Sequence, residues 1–462
     1  MVTYSIINKS KLEGALRLDA EYYQPEFIEI TERINLSRNV ELKELTVWIK
    51  KGIFDLSPDN YRDDGIPLIR TLGINDPLID FSETVFLDIN THQNNKTTTL
   101  FPGDLVFTKI GANIGKSAVL PSTFEEYNFS QNVAGARVKQ DIIKSGYLLA
   151  YLLSKFGKGQ IDRAQMISGQ SKLELEDLRK LKIVVAFDEI QQEIDTLIIQ
   201  AQDQKTQSIR WHQEAEDLLL EELGLKDFQV KDDLSFVVNL SDVKSANRID
   251  ANFFHPKYNE VIKRLEANHL DSLEANFEII RSKNFEYDEE GEAGVIKTKQ
   301  LGKQFINFEV DDRVGNEVMQ KEKLPKLEDS DVIFASMGVG SLGKTNIYYA
   351  FESVGKYTID STLRIFRKRN NGKVLPEVLA IYLSSWVGQE LIYKYIVGTS
   401  GIISIYENYL QNFVVPILLE PIQQKIADLM RKSHEARKKS KQLLEEAKRK
   451  VEEIIEKGAT NG

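Results

Sequence analysis

The octapeptide Gly338-Val339-Gly340-Ser341-Leu342-Gly343-Lys344-Thr345 satisfies the pattern G-x-x-x-x-G-K-[ST]. That pattern cradles phosphate only when a strand precedes it and a helix succeeds it, so that backbone N–H groups converge on the anion. Val332-Ile333-Phe334-Ala335 reads as the preceding strand. The next residues, Asn346-Ile347-Tyr348-Tyr349, read as a second strand. A glycine-rich turn between two strands is the favoured reading; a P-loop nucleotide-binding enzyme using Gly338–Thr345 is the alternative. A similar turn, Gly111 to Ser117, falls one residue short of the pattern. Glycines let a backbone approach a ligand closely. Lys109, Lys116 and Lys344 could therefore reach phosphates or base edges, or stand as solvated hairpin lysines.

Other candidates suit the same chemistry. Arg70 and Lys299 are read as aligned basic residues following apolar strands. Arginine grips the O6/N7 edge of guanine with two hydrogen bonds, and lysine can reach it too; the competing reading is a surface ion pair. The loops Ser168-Gly169-Gln170-Ser171-Lys172 and Gly398-Thr399-Ser400-Gly401 each precede a long helix. Ser168, Gln170, Lys172 and Ser400 there could position phosphates, or belong to ordinary linkers. The DNA-binding candidates are thus Arg70, Lys109, Lys116, Ser168, Gln170, Lys172, Lys299, Lys344 and Ser400. The pairs Arg17/Asp19 and Arg248/Asp250, with Tyr22-Tyr23 and Phe253-Phe254 after them, read as local ion pairs and core aromatics.

Catalytic constellations are missing from the sequence. Its histidines, His92, His212, His255, His269 and His434, show no metal-ligand spacing. The chain has no cysteine, which excludes disulfides, cysteine-based zinc or iron–sulfur sites and a cysteine nucleophile, and fits a reducing cytosol. No Asn/Asp-Pro-Pro-aromatic methyltransferase signature and no strand-to-helix G-x-G-x-x-G are present. The expectation is a non-enzyme with no metal and no cofactor.

The elements that must position these residues are written twice. The 462 residues, 42% hydrophobic and 28% charged, are globular in composition and long enough for about three structural units. Arg17-Leu18-Asp19-Ala20-Glu21-Tyr22-Tyr23-Gln24-Pro25 returns as Arg248-Ile249-Asp250-Ala251-Asn252-Phe253-Phe254-His255-Pro256, an offset of 231. Gly65 to Thr71 returns loosely as Gly294 to Gln300, and Asp104-Leu105-Val106-Phe107 as Asp331-Val332-Ile333-Phe334. Phe187-Asp188-Glu189-Ile190-Gln191-Gln192 returns as Leu419-Glu420-Pro421-Ile422-Gln423-Gln424. Several matches in one order at nearly constant offset mark an internal duplication. Each copy begins as a mixed α/β globule and closes with a long helix.

The first helix carries Ile190, Ile194, Leu197, Ala201, Ser208, Trp211, Ala215 and Leu219 at steps of mostly three and four. The second carries Ile422, Ile426, Leu429, Ser433, Ala436, Ser440, Leu443, Ala447, Val451 and Ile454. These are heptad-like seams, large at the ends and small in the middle, where the helices should approach closely. Residues 188–222 hold 10 acidic and 2 basic side chains, while 431–457 hold 6 acidic and 10 basic. Opposite charges beside apolar seams favour pairing of the two helices with each other, and connectivity makes that pairing antiparallel. The expected domains are 1–187, a first globule; 188–223, a first spacer helix; 224–418, a second globule; and 419–458, a second spacer helix. The N-terminal sequence shows no signal pattern, and no run of ~18 apolar residues occurs, so a cytoplasmic protein without membrane association is expected.

This layout resembles the specificity subunit of type I restriction–modification enzymes, over essentially the whole chain. The resemblance rests on the tandem globule–helix repeat. It rests also on Gly103-Asp104-Leu105-Val106-Phe107 through Gly115-Lys116, and on Leu178-Arg179-Lys180-Leu181-Lys182-Ile183 leading into Glu189-Ile190-Gln191-Gln192. The second pattern recurs as Leu410-Gln411-Asn412-Phe413-Val414-Val415-Pro416 leading into Ile422-Gln423-Gln424. The resemblance implies an α/β (α+β) fold with two target recognition domains separated by two long helices in an antiparallel coiled coil. It implies a DNA sequence-recognition subunit that reads a bipartite target, one domain per half-site. Two modification subunits using S-adenosylmethionine, and restriction subunits, would dock on it and supply the chemistry. A coiled-coil adaptor with no DNA role is a further alternative. The charge of the second globule departs from a DNA reader's basic footprint: residues 223–430 hold 25 basic and 30 acidic side chains.

Overall fold

The computed structural model describes residues 4–12, 18–81, 84–111, 113–165, 172–230, 234–398 and 403–457. The chain divides into two compact units, the first made of 1–205 with 439–462, the second of 206–438. Both long helices are shared between the units.

The first unit holds strands β1 (Thr46–Lys51), β2 (Ile66–Ile69), β3 (Leu105–Thr108), β4 (Ser117–Val119), β5 (Asn128–Phe129) and β6 (Val133–Val138). Strands β1, β6, β3 and β4 form an antiparallel sheet in that order. Strand β2 pairs in parallel with β5 in a separate sheet. The second unit repeats this plan with β7 (Phe277–Arg281), β8 (Ala293–Ile296), β9 (Val332–Ala335), β10 (Thr345–Ile347), β11 (Lys356–Ile359) and β12 (Leu363–Lys368). Its antiparallel sheet runs β7, β12, β9, β10, and β8 pairs in parallel with β11.

The duplicated apolar motif becomes the central strand of each main sheet because both its faces are covered. Successive side chains of a strand point to opposite faces. Leu105 and Phe107 enter a core shared with Tyr147, Leu148 and Tyr151, while Val106 enters another with Ile69, Leu100 and Phe129. In the second unit Val332 and Phe334 face Val378, Leu379 and Tyr382, and Ile333 faces Ile296 and Ile359. Burying each large apolar side chain stabilises the sheet by roughly 1.5–3 kcal/mol.

Other repeated residues are structural fasteners. Asp104 is buried, and its carboxylate accepts the backbone N–H groups of Phe101 and Val138 at 2.9 and 3.2 Å. Asp331 accepts Nε and Nη2 of Arg367 at 2.9 and 2.7 Å. The first glutamine of each Gln-Gln pair bridges the turn before its long helix. Gln191 donates to Ala186 O and accepts from Lys144 N, and Gln423 donates to Leu418 O and accepts from Leu375 N. The helices Ser145–Leu153 and Pro376–Ser384 are each followed at once by another, Lys155–Gln165 and Trp386–Lys394. These corners need glycine: a Cβ at Gly157 would lie 2.2 Å from Tyr151 O, and one at Gly388 2.1 Å from Tyr382 O.

The long helices are α1 (Asp188–Glu222) and α2 (Glu420–Lys457). They pair antiparallel within each unit. In the first, Glu193 meets Lys450 at 2.8 Å, and the Ser440 hydroxyl donates to Ala201 O at 2.6 Å. In the second, Ser433 donates to Ser208 O at 2.7 Å, and Ala215 and Leu219 share a core with Ile426 and Met430. A serine hydroxyl can reach the backbone of a facing helix only across small side chains, so the small middle residues do allow a close approach. The seam differs from the expected one at two places on α1. Ile198 and His212 are buried, while Leu197 and Trp211 are half-buried. Ile198 turns inward because this part of α1 also packs on the first unit's globule, where Ile194 and Ile198 join the core and Asp195 accepts Gly146 N at 2.7 Å, whereas His212 lies against the Phe305 ring in the second unit. No described helix is long and apolar enough to cross a membrane. Among the described residues no three His, Asp or Glu side chains gather as a metal site.

Candidate nucleic-acid interface

The octapeptide Gly338–Thr345 joins two antiparallel strands. Phe334 on β9 pairs with Thr345 on β10, so a strand stands where a P-loop needs a helix. Gly338, Gly340 and Gly343 have φ of 109°, 71° and 87°, the left-handed region that glycine enters without strain. The Thr345 hydroxyl, which a P-loop would present to a metal ion, is buried and donates to Gly343 O at 2.9 Å. This geometry overturns the nucleotide-binding alternative.

The two turns are equivalent. Thr108 N donates to Lys116 O in the first unit, and Ala335 N to Lys344 O in the second, each at 2.9 Å. Lys116 and Lys344 are therefore matched, and both are half-buried. Lys116 borders a cavity of about 370 Å³ together with Asp76, Lys158, Asp162 and Lys448.

Lys109 is not a solvated hairpin lysine. It is buried, and burial pushes its ammonium pKa down, with Lys172 and Lys51 adding to the effect and Glu174 opposing it. Its backbone N–H donates to Asn132 O and its carbonyl accepts Leu173 N. Ser336 makes the matching bonds to Thr362 O and Ile405 N, so the second unit carries a serine in this place. Lys172 forms an ion pair with Glu174 at 2.7 Å, and its backbone bridges to Ile110 beside the glycine turn. Ser404 bridges to Met337 in the same way. The chain after each candidate loop thus returns to the glycine turn of its own unit. Ser168, Gln170 and Ser400 themselves lie outside the described residues, as does Arg17. Arg248 holds Asp250 with two bonds of 2.8 and 2.9 Å, the local ion pair that its motif suggested.

The equivalence of Arg70 and Lys299 does not survive. In the parallel pairs, Ile69 faces Phe129 and Ile296 faces Ile359. Ser130 N then donates to Ile69 O at 3.0 Å, and Asp360 N to Ile296 O at 3.1 Å. The residue after Ile69 is Arg70, and the residue after Ile296 is Lys297. Each starts a short 3-10 turn, Thr71–Gly73 or Thr298–Gln300. Matching Gly65 with Gly294 set the wrong register: Gly65 precedes its strand at φ 120°, whereas Gly294 lies within β8, paired with Tyr357 and Arg313. Lys299 is exposed and pairs with Asp311 at 2.8 Å, which matches its ion-pair reading.

Lys297 was missed, and so were the tyrosines. The Arg70 guanidinium lies 5.8 Å from the Tyr61 ring centroid, and the Lys297 ammonium 3.9 Å from that of Tyr287. Lys297 also pairs with Asp312 at 2.8 Å. Arg70 borders a cavity of about 270 Å³ that Ser130, Gln131 and Asn132 also line. The structure therefore brings Arg70 and Lys109 to strand ends joined through Asn132, with Lys172 beside Lys109 through Ile110 and Leu173, and leaves Lys116 by a different cavity. A cationic edge with amide and tyrosine side chains can contact phosphates and read base edges.

Residues 37–214 match the family model of the type I restriction modification DNA specificity domain. Among solved structures, the S subunit of a type I restriction–modification system from M. genitalium is similar at 12% identity and TM-score 0.45, over 92% of this chain and 96% of that one. The HsdS subunit from Thermoanaerobacter tengcongensis is similar at 14% identity and TM-score 0.29, over 91% and 97%. A comparison with the curated proteins returns no match.

Proposed function

We propose that this chain, whose residues 37–214 match the type I restriction modification DNA specificity domain, is a specificity subunit in which each of the two units reads one half of a bipartite DNA target. The chain is a DNA sequence-recognition subunit and not itself a catalyst. The observation that carries the two-part reading is the duplication. Two units share one strand order, yet at matched places one presents Arg70 and Lys109 where the other presents Lys297 and Ser336. Like scaffolds with unlike edges suit two different half-sites.

On this reading α1 and α2 are the spacer, with the globules falling at 1–187 and 224–418 and the helices at 188–223 and 419–458. Arg70, Lys109, Lys172 and Lys344, with Lys116 and the loops holding Ser168, Gln170 and Ser400, face DNA; Lys299 contributes through its neighbour Lys297. Two modification subunits dock on the duplicated chain and carry methyl transfer from S-adenosylmethionine, and restriction subunits complete the assembly in the cytoplasm. This chain itself needs no cofactor.

Methylome sequencing of the host with and without this chain tests the reading. Loss of one split methylation motif on deletion is expected. An unchanged methylome in a host with active modification subunits would leave the coiled-coil adaptor as the better account.

A further inference from the structure

The cavity beside Arg70 goes one step further, resting on the reading of this chain as a DNA-recognition subunit. Ile53 and Leu68 help to line it, and Tyr61, Arg70, Gln131 and Asn132 stand around it. Arg70 comes directly after β2, and Gln131 and Asn132 lie in the turn between β5 and β6. Both turns are fixed by their own backbone: Gly73 N donates to Arg70 O at 3.0 Å, Val133 N to Ser130 O at 3.0 Å, and Lys109 N to Asn132 O at 2.9 Å. A guanidinium and two carboxamides thus leave neighbouring rigid turns. These are the side chains that read purines in the major groove, arginine by O6/N7 of guanine and an amide by N6/N7 of adenine.

The matched turns of the second unit carry different chemistry. Lys297 stands for Arg70, Ser361 for Gln131 and Thr362 for Asn132, by the register of Ser130 on Asp360. Ser361 is held by Asn284 at 2.7 Å and Thr362 by Asp360 at 2.6 Å, which leaves the Lys297 ammonium, paired with Asp312 at 2.8 Å, as the charged group of these turns.

We propose that the strand-end turns 70–73 and 130–132 are the base-reading edge of the first unit, with Arg70 specifying a guanine and Gln131 an adenine in one half-site. The matched turns 297–300 and 360–362 specify the other half-site, with Lys297 as its reader. The register of the two parallel strand pairs carries this, because it identifies which side chains occupy one place on two scaffolds.

The test is the methylome of a host expressing the full chain with its own partner subunits, wild type or carrying Arg70→Ala, Gln131→Ala or Lys297→Ala. Arg70→Ala should keep the split layout but make one guanine position degenerate, raising methylation of sites with another base there by about tenfold or more. Gln131→Ala should relax an adenine in the same half-site, and Lys297→Ala a position in the other half-site only. Should Arg70→Ala fail to assemble, Arg70→Lys decides, relaxing the same position more weakly. An unchanged motif at full methylation in these variants overturns the proposal. So does uniform loss of methylation from an intact assembled complex, which would mark phosphate positioning, or relaxation by Lys297→Ala in the half-site that Arg70→Ala relaxes. The underlying reading fails separately, if deleting the chain leaves the methylome unchanged.

Discussion

At the scale of single residues, the repeated motifs prove to be mainly fasteners, and the candidate contacts lie beside them. Asp331 is buried and its carboxyl is pushed up by that burial, while Arg367 and the Glu328 N–H pull it back down. Removing the cation would leave a buried carboxylate with the Glu328 N–H alone, and breaking a buried pair in this way costs about 3–5 kcal/mol. Arg367→Ala should therefore destabilise the second unit by about 3 kcal/mol, read from hydrogen exchange across 206–438 in the full chain; protection equal to wild type would refute the fastener role. The histidines carry a different expectation. His212 on α1 is buried against the Phe305 ring, its Nδ1 has no hydrogen-bond partner among the described residues, and burial together with His434 lowers its pKa to about 4. Above pH 6.5 the imidazole is neutral whether folded or unfolded, so nothing is lost. As pH falls from 6.5 towards 4 the unfolded chain takes a proton that the folded chain refuses, and stability declines by about 3 kcal/mol in all. Thermal unfolding of wild type against His212→Leu across that window measures it, and the variant's curve should be flatter. None of this was legible in the sequence, where His212 showed only that it lacked metal-ligand spacing, because burial is a property of the packed helix and not of the residue's neighbours in the chain.

At the scale of elements, the sequence revealed the duplication, the strand–turn–strand reading of Gly338–Thr345 and both long helices, because each leaves a periodic or local trace. It misplaced what depends on three-dimensional register. Leu197 and Trp211 fit a heptad seam as well as Ile198 and His212 do, and only the packing of each unit decides between them: the first unit's core takes Ile198, and His212 lies against Phe305 in the second. Lys299 was aligned with Arg70 through a glycine, and only the pairing of Ile69 with Phe129 and of Ile296 with Ile359 restores Lys297 to that place. The small residues of the seam were read correctly, and they set a sharp expectation. Ala201 is fully buried, and its carbonyl accepts the Ser440 hydroxyl at 2.6 Å. Ser440→Ala should cost about 1 kcal/mol, the net worth of one buried hydrogen bond. Ala201→Leu should cost about 1–3 kcal/mol by overpacking. Chemical denaturation of the full chain orders the two; a neutral Ala201→Leu would mean that the helices have room to spare and that the serine bonds are incidental.

At the scale of the whole molecule, charge is the instructive quantity, because 60 basic against 70 acidic side chains is an unusual balance for a chain that reads DNA. Residues 188–222 alone account for 10 of the acidic groups against 2 basic. Within the first unit one of these, Glu193, is matched by Lys450 of the other long helix. The candidate cations of the first unit are tempered by their surroundings: Arg70 lies beside Tyr61, Lys109 is drawn down by burial, and Lys172 pairs with Glu174. Each phosphate neutralised by a protein cation releases counterions and steepens the fall of affinity with salt by a slope of about 0.9. A chain of net charge −10 with its candidate cations so tempered should bind duplex DNA weakly on its own, in the range of about 10⁻⁴–10⁻⁶ M that nonspecific contacts reach at physiological salt, with a shallow salt dependence. If modification subunits dock as proposed and bring phosphate contacts of their own, assembly should tighten binding and steepen the slope together. Fluorescence anisotropy of labelled duplex across a salt series, for the chain alone and for the assembled complex, separates the cases. A steep slope for the isolated chain would show that its own side chains hold the backbone and would refute this division of labour.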